Sequence, residues 1–211
     1  MARAFEKAYR LVRDGIVAGR FPPSRRITEQ EVATAAGVSR TPVREALRRL
    51  HAEGIVDFRP NQGAIVTAWS AAETEEIFEL RALLESHGAR RAARFASDAQ
   101  IAALRDLAER QRQESLRRSD GHIERIWELN SRFHQLLQQA ARSPRLSKAL
   151  AFILEAPLVV KTFENYSAEE LERSAAHHLE IVRALEHRDG DWAASVMRTH
   201  ILAASRTLRD R

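Results

Sequence analysis

Arg40, Thr41 and Arg44 stand on the first turns of a predicted helix, where Ser39 is placed as the N-cap and Val43, Leu47 and Leu50 recur at the spacing of an inward face. The three polar side chains therefore project from an exposed helix N-terminus. Guanidinium groups placed there can donate to phosphate oxygens or to the paired acceptors of a guanine edge, and a threonine hydroxyl can serve either. Gly37 ends the preceding predicted helix and permits a tight turn between the two. This is the chemistry of reading double-stranded DNA through the major groove. Arg48 and Arg49 lie one turn further on and are left to phosphates or solvent.

A second set of chemically capable residues lies in the rest of the chain. Ile123, Trp127, Asn130, His134 and Leu137 step by four and three, so Asn130 and His134 share one helical face. His178 shares a face with Ile181, Val182 and Leu185, and His200 follows Trp192 and Val196. Arg81 interrupts Ile77, Leu84 and Gly88. A buried imidazole or amide without a partner costs on the order of 1 to 3 kcal/mol, so these groups are expected to satisfy one another or share a ligand. Three imidazoles and one amide oxygen suit a divalent ion, zinc first and nickel or manganese as alternatives, with positions left for water or a ligand oxygen. Arg81 then suits the far end of a bound carboxylate. Taken singly, each histidine is more often an ordinary packed residue, and Arg81 more often the partner of Glu85 one turn on. The set of four is what points to a ligand. His51, His87, His122 and His187 fall near helix ends and keep the ordinary reading, and His177 is turned about 100° from His178.

Charge separates these two sets. Residues 1–66 hold 12 Lys and Arg against 7 Asp and Glu, while residues 67–211 hold 22 of each. The first third is expected to seek a polyanion and the remainder is not. A length of 211 residues with 44% apolar content suits two globular units. There is no run of eighteen apolar residues, and the first seven residues carry acid and lack a signal-peptide core, so a soluble cytoplasmic protein without a membrane partner is expected. The absence of cysteine excludes disulfides and thiolate metal sites.

The elements that must position these residues are marked by capping boxes, a hydroxyl residue followed three places later by Glu or Gln. Thr28 with Glu31, Ser70 with Glu73, Ser97 with Gln100 and Ser167 with Glu170 each open a predicted helix, and Ser143-Pro144 opens a fifth. Only residues 55–59 and 64–67 read as strand, a pair around the turn cluster 60–63. Such a hairpin after two helices is a wing, whose tip carries Gln62 and Gly63. The expected order is helix (about 3–18), helix (28–36), helix (39–53), hairpin, then only helices. The fold class is mainly α: a winged helix-turn-helix over residues 1–68 and an all-helical unit over 69–211.

The run Ile16-x-x-Gly19-x-Phe21-x-Pro23, Ile27-Thr28-Glu29, Val38-Ser39-Arg40-Thr41-Pro42-Val43-Arg44-Glu45-Ala46-Leu47, Glu53-Gly54-Ile55-Val56 and Gly63-x-x-Val66 resembles the winged helix-turn-helix of GntR-type bacterial transcription regulators. The resemblance implies a homodimer on a short palindromic operator, with Arg40 and Arg44 as DNA-contacting arginines. Gln30 lies where some members place another arginine, and Ser24 replaces the usual glycine of a Pro-Gly turn. Further on, Leu80-Arg81-x-x-Leu84-Glu85, Asn130-x-x-Phe133-His134, His178-x-x-Ile181, Gly190-Asp191 and Met197-x-x-His200 resemble the FCD ligand-binding domain of the FadR subfamily. That resemblance implies a metal held by Asn130, His134, His178 and His200, which helps to hold a small organic acid. Asn130 stands where aspartate is commoner and removes a negative charge.

Together these readings describe a regulator whose DNA affinity responds to a small carboxylate. A metal-responsive regulator is the alternative, as is a metalloenzyme with a DNA-binding head. The enzyme reading lacks an inward carboxylate base, a His-Glu-x-x-His motif and an evident nucleophile.

Overall fold

The computed structural model describes residues 2–17, 19–59, 63–68, 70–153 and 166–209. They form two compact units that divide between Ser70 and Ala71.

The N-terminal unit consists of α1 (Ala2–Val17), β1 (Arg26–Ile27), α2 (Glu29–Ala36), α3 (Arg40–Ala52), β2 (Val56–Arg59) and β3 (Gly63–Val66). Ala8, Val12 and Ile16 recur on one face of α1 and pack on Val43, Leu47 and Leu50 of α3, with Val32 of α2 in the same core. Thr28 caps α2 by accepting from the Glu31 amide, and Gly37 ends it at φ 61°, a left-handed turn that a Cβ would strain. Ser39 stands at the α3 N-cap with extended backbone, but its side chain makes no cap hydrogen bond.

The wing has one strand more than expected. β1 pairs antiparallel with β3, giving the order β1-β3-β2, with Ile27 opposite Ala64 and Phe58 opposite Ala64 from the other side. Two residues are too short to show periodicity in sequence. Burial of Ile27 and the Val66 amide donating to the Arg25 carbonyl hold the strand in place. Ser24 adopts φ 65° in the turn that leads into it. Gln62, assigned to the wing tip, lies outside the described residues.

The second unit is all helical: α4 (Ala71–Phe95), α5 (Asp98–Arg117), α6 (His122–Ala140), α7 (Pro144–Ile153), α8 (Ala168–Glu186) and α9 (Gly190–Arg209). Ser97 and Ser167 complete reciprocal capping boxes with Gln100 and Glu170. Arg118 and Gly121, both at positive φ, turn the chain between α5 and α6. α9 lies along α4, and α5 packs against both α6 and α8. A Cβ on Gly190 would fall 3.0 Å from the Arg90 carbonyl oxygen, so glycine lets α9 begin hard against α4. Phe78, Leu104, Phe133, Ile181, Leu185, Met197 and Ile201 fill the interior. Along α6 the buried line runs through Ile126, Asn130, Phe133, His134 and Leu137, while Ile123 and Trp127 are only half-buried.

Candidate nucleic-acid interface and buried histidine centre

In the N-terminal unit, burial of Pro42, Val43, Ala46 and Leu47 turns the other side of α3 outward, leaving Arg40, Thr41 and Arg44 exposed. Both arginines are tied to α2. Arg44 donates from Nε and Nη2 to the two carboxylate oxygens of Glu29 at 2.7 and 2.9 Å, a bidentate fork. Arg40 donates from Nε and Nη2 to Gln30 Oε1, and Gln30 Nε2 donates to Thr34 Oγ1. The bond from Arg44 holds the Glu29 carboxyl below its usual range. An exposed ion pair is worth about 0.2 to 1 kcal/mol, so a phosphate or base edge can take either guanidinium from α2 at small cost. Glu29 was missed as a partner because fifteen residues separate it from Arg44. Arg49 is committed to Glu53, which also accepts from the Tyr9 hydroxyl. Burial and Glu53 push that phenol up to about 12. Gly63 opens β3 at φ 79°.

In the helical unit, His134, His178 and His200 converge from α6, α8 and α9. Their ring centroids lie 4.6 to 5.3 Å apart, and one nitrogen from each falls within 4.8 Å of the other two. All three are buried, as are Asn130 and Arg81. Asn130 Oδ1, His134 Nε2, His178 Nε2 and His200 Nδ1 are buried atoms without a hydrogen-bond partner among the described residues. Burial, and then the neighbouring imidazoles, hold His178 and His200 well below the ordinary histidine range, so both are neutral and carry a lone pair.

Two residues outside the expected ligand set reach this centre. His134 Nδ1 lies 2.6 Å from Glu85 Oε2, and His178 Nδ1 lies 2.7 Å from Gln111 Oε1. Arg81 Nε donates to the other oxygen of Glu85 at 2.9 Å, so the ion pair weighed against an effector role for Arg81 is formed. Burial pushes the Glu85 carboxyl up, but Arg81 and His134 outweigh it and bring it down to about 2. Gln111 had a sequence signal, since it continues the buried line Leu104, Leu107 and Ala108 on α5. His178 also stacks on Phe133, centroids 4.0 Å apart. His51, His122 and His187 bond backbone carbonyls near helix ends, and His177 is half-buried beside His200.

This donor set fits a divalent ion. Four buried atoms with lone pairs and no partner face a cost of roughly 1 to 3 kcal/mol each that coordination removes. An ion held tetrahedrally with nitrogens at about 2.1 Å puts them about 3.4 Å apart, so rings whose nitrogens lie up to 4.8 Å apart would close by as much as about 1.4 Å on binding it.

Residues 4–66 match the model of the bacterial regulatory proteins of the gntR family, and residues 76–203 match the FCD domain. The chain is 31% identical over 206 residues to the HTH-type transcriptional repressor RspR of Escherichia coli (strain K12), covering 97% of this chain and 88% of that protein. It is 34% identical over 181 residues to the Nta operon transcriptional regulator of Aminobacter aminovorans, covering 86% and 83% of the two chains. Among solved structures, E. coli McbR/YncC shares the fold at a TM-score of 0.78 and 21% identity, with 97% and 98% coverage.

Proposed function

The chain belongs to the GntR family of bacterial regulatory proteins and carries an FCD domain, and from that premise we propose that it binds a palindromic operator as a homodimer and changes its grip when a small organic acid binds beside a divalent ion in the helical unit. As a member of that family it is a transcription regulator and not an enzyme. Such a protein works in the cytoplasm, beside the chromosome; among the described residues no helix is long and apolar enough to cross a membrane.

The sensing half rests on one observation, the convergence of three buried imidazoles and an amide whose facing atoms have no partner. Asn130, His134, His178 and His200 would hold the ion. Bound there, zinc or a similar cation supplies an electrophilic centre that takes a carboxylate oxygen. Arg81 gives Nε to Glu85, and its guanidinium carries further N–H donors on the Nη groups. Those donors suit the second end of the acid. In the head, Arg40, Thr41 and Arg44 meet the major groove, and Gln62 and Gly63 bring the wing to the backbone or minor groove. An acid moves operator affinity only as far as it favours one of two states, typically by 1 to 3 kcal/mol.

The test starts from DNA duplexes selected by the purified protein out of a random-sequence pool. Two inverted half-sites and an affinity that falls steeply with salt are expected. Small carboxylic acids are then screened with and without zinc for a rise in melting temperature, and each hit is added to the selected duplex. His178→Ala is expected to lose the zinc-dependent rise while still binding that duplex. Zinc alone shifting DNA affinity would make the ion the effector. No ion retained after loading, by elemental analysis, would end the metal reading, and no selected sequence would end the operator reading.

A further inference from the structure

We infer that Glu85 and Gln111 are positioning residues that fix the tautomers of His134 and His178, and that Glu85 supplies the negative charge which Asn130 leaves out of the metal site. The inference rests on the ligand set proposed above. A neutral imidazole has one N–H and one lone pair, and the partner of one nitrogen decides which is which. Glu85 is ion-paired to Arg81 through Oε1, and a carboxylate so paired accepts at Oε2, so at 2.6 Å the Nδ1 of His134 carries a proton. Gln111 Oε1 is likewise an acceptor, and it puts the proton on His178 Nδ1 at 2.7 Å. In the neutral form of either ring the lone pair is then on Nε2, and both Nε2 atoms are buried without a hydrogen-bond partner among the described residues. Two different residues, on α4 and α5, thus deliver the same ring nitrogen to the same space.

The charge argument is separate. An amide oxygen and three imidazoles, each bound through a lone pair, would bring no charge to an ion, so the ligands would do nothing to balance a dication. The buried Arg81 guanidinium adds a positive charge nearby. Glu85 contacts both, one oxygen to Arg81 and the other to His134. A carboxylate behind a ligand histidine raises its basicity and orients it. Here it also brings a negative charge to the far side of the His134 ring, further from the ion than an aspartate ligand would hold it.

The first measurement needs neither metal nor variant. Two-bond nitrogen–proton correlation spectra of the metal-free protein at pH 7.5 are expected to show Nδ1–H forms for His134 and His178. An Nε2–H form at either would overturn the inference for that ring. Gln111→Leu, with its fold checked by circular dichroism, is expected to give a tautomer mixture at His178 alone, and an unchanged Nδ1–H form would remove Gln111 from the role. Zinc sulfate titrated against a competing chelator then tests the charge. Glu85→Gln is expected to weaken zinc binding about 10- to 100-fold, and Asn130→Asp to strengthen it. In the Asn130→Asp background the Glu85→Gln loss should shrink. An equal loss in both backgrounds would overturn the charge compensation. A wild-type protein that binds no zinc would end the metal reading proposed above, while the tautomer spectra would still decide the positioning role.

Discussion

Two sets of polar side chains carry the functional reading, and they are held in opposite ways. At the start of α3, Arg40 and Arg44 are exposed to water, yet each guanidinium has a partner on α2. Inside the helical unit, Asn130, His134, His178 and His200 are shut away from water, yet each has an atom with no hydrogen-bond partner among the described residues. In water the bond between Arg44 and Glu29 replaces bonds to solvent and is worth about 0.2 to 1 kcal/mol, so it opposes a competing phosphate only weakly. In the interior no solvent substitutes, and every orphan costs about 1 to 3 kcal/mol until something binds. On the reading proposed above, the exposed pairs are resting positions that DNA would break, and the buried orphans are the atoms that a ligand would satisfy.

The largest expected effect that sharpens this contrast is at Arg44. Arg44→Ala should weaken binding to the selected duplex by about 1 to 3 kcal/mol, roughly 5- to 150-fold, if the side chain reads a base. The melting temperature should fall by no more than about 4 °C, because the side chain is exposed and its pair contributes about 1 kcal/mol at most. Unchanged DNA affinity would remove α3 as the reading helix.

Acid should separate the two regions next. His178 and His200 have pKa values below the ordinary 6.5, so between those values and 6.5 the unfolded chain binds more protons than the folded one. Stability then rises with pH. Their contribution is complete above about 6.5 and is lost as pH falls. Glu85, at about 2 against 4.5, adds a further loss only between 4.5 and 2, in the same direction. Urea midpoints of the metal-free protein should therefore decline from pH 7.5 to 5. A flat profile over that range would mean that these imidazoles are not buried neutral groups.

The smallest effect concerns Ser24, which sits at φ 65° in an exposed turn. A non-glycine residue in the left-handed region costs roughly 1 to 2 kcal/mol, offset in part by the greater entropy of glycine when unfolded. Ser24→Gly should stabilise the head by about 0.5 to 1 kcal/mol in thermal melts without altering zinc affinity. Destabilisation would show that the Ser24 side chain contributes something that the turn geometry does not.

The sequence carried the head almost complete. Turn glycine, helical spacing and wing composition are local signals, and each acts within a few residues of where it is written. Among the described elements the two-residue β1 escaped, since its existence depends on neighbours 37 and 39 residues away. In the helical unit, spacing located Asn130, His134, His178 and His200 on inward faces, but nothing local linked His178 to Gln111 or His134 to Glu85. Gln111 could have been noticed on its buried stripe, though not paired.

What the sequence by itself determined was which elements form, which faces turn inward and what the exposed arginines can touch, because backbone propensity and amphipathic period are short-range properties. What only the tertiary structure decided was the company each polar group keeps. Which nitrogen of His134 and His178 bears the proton is set by contacts 49 and 67 residues away in sequence. Whether Arg81 meets Glu85 or an incoming acid also depends on how the helices pack. Those choices are made in a low-dielectric interior, where one hydrogen-bond partner outweighs any local preference.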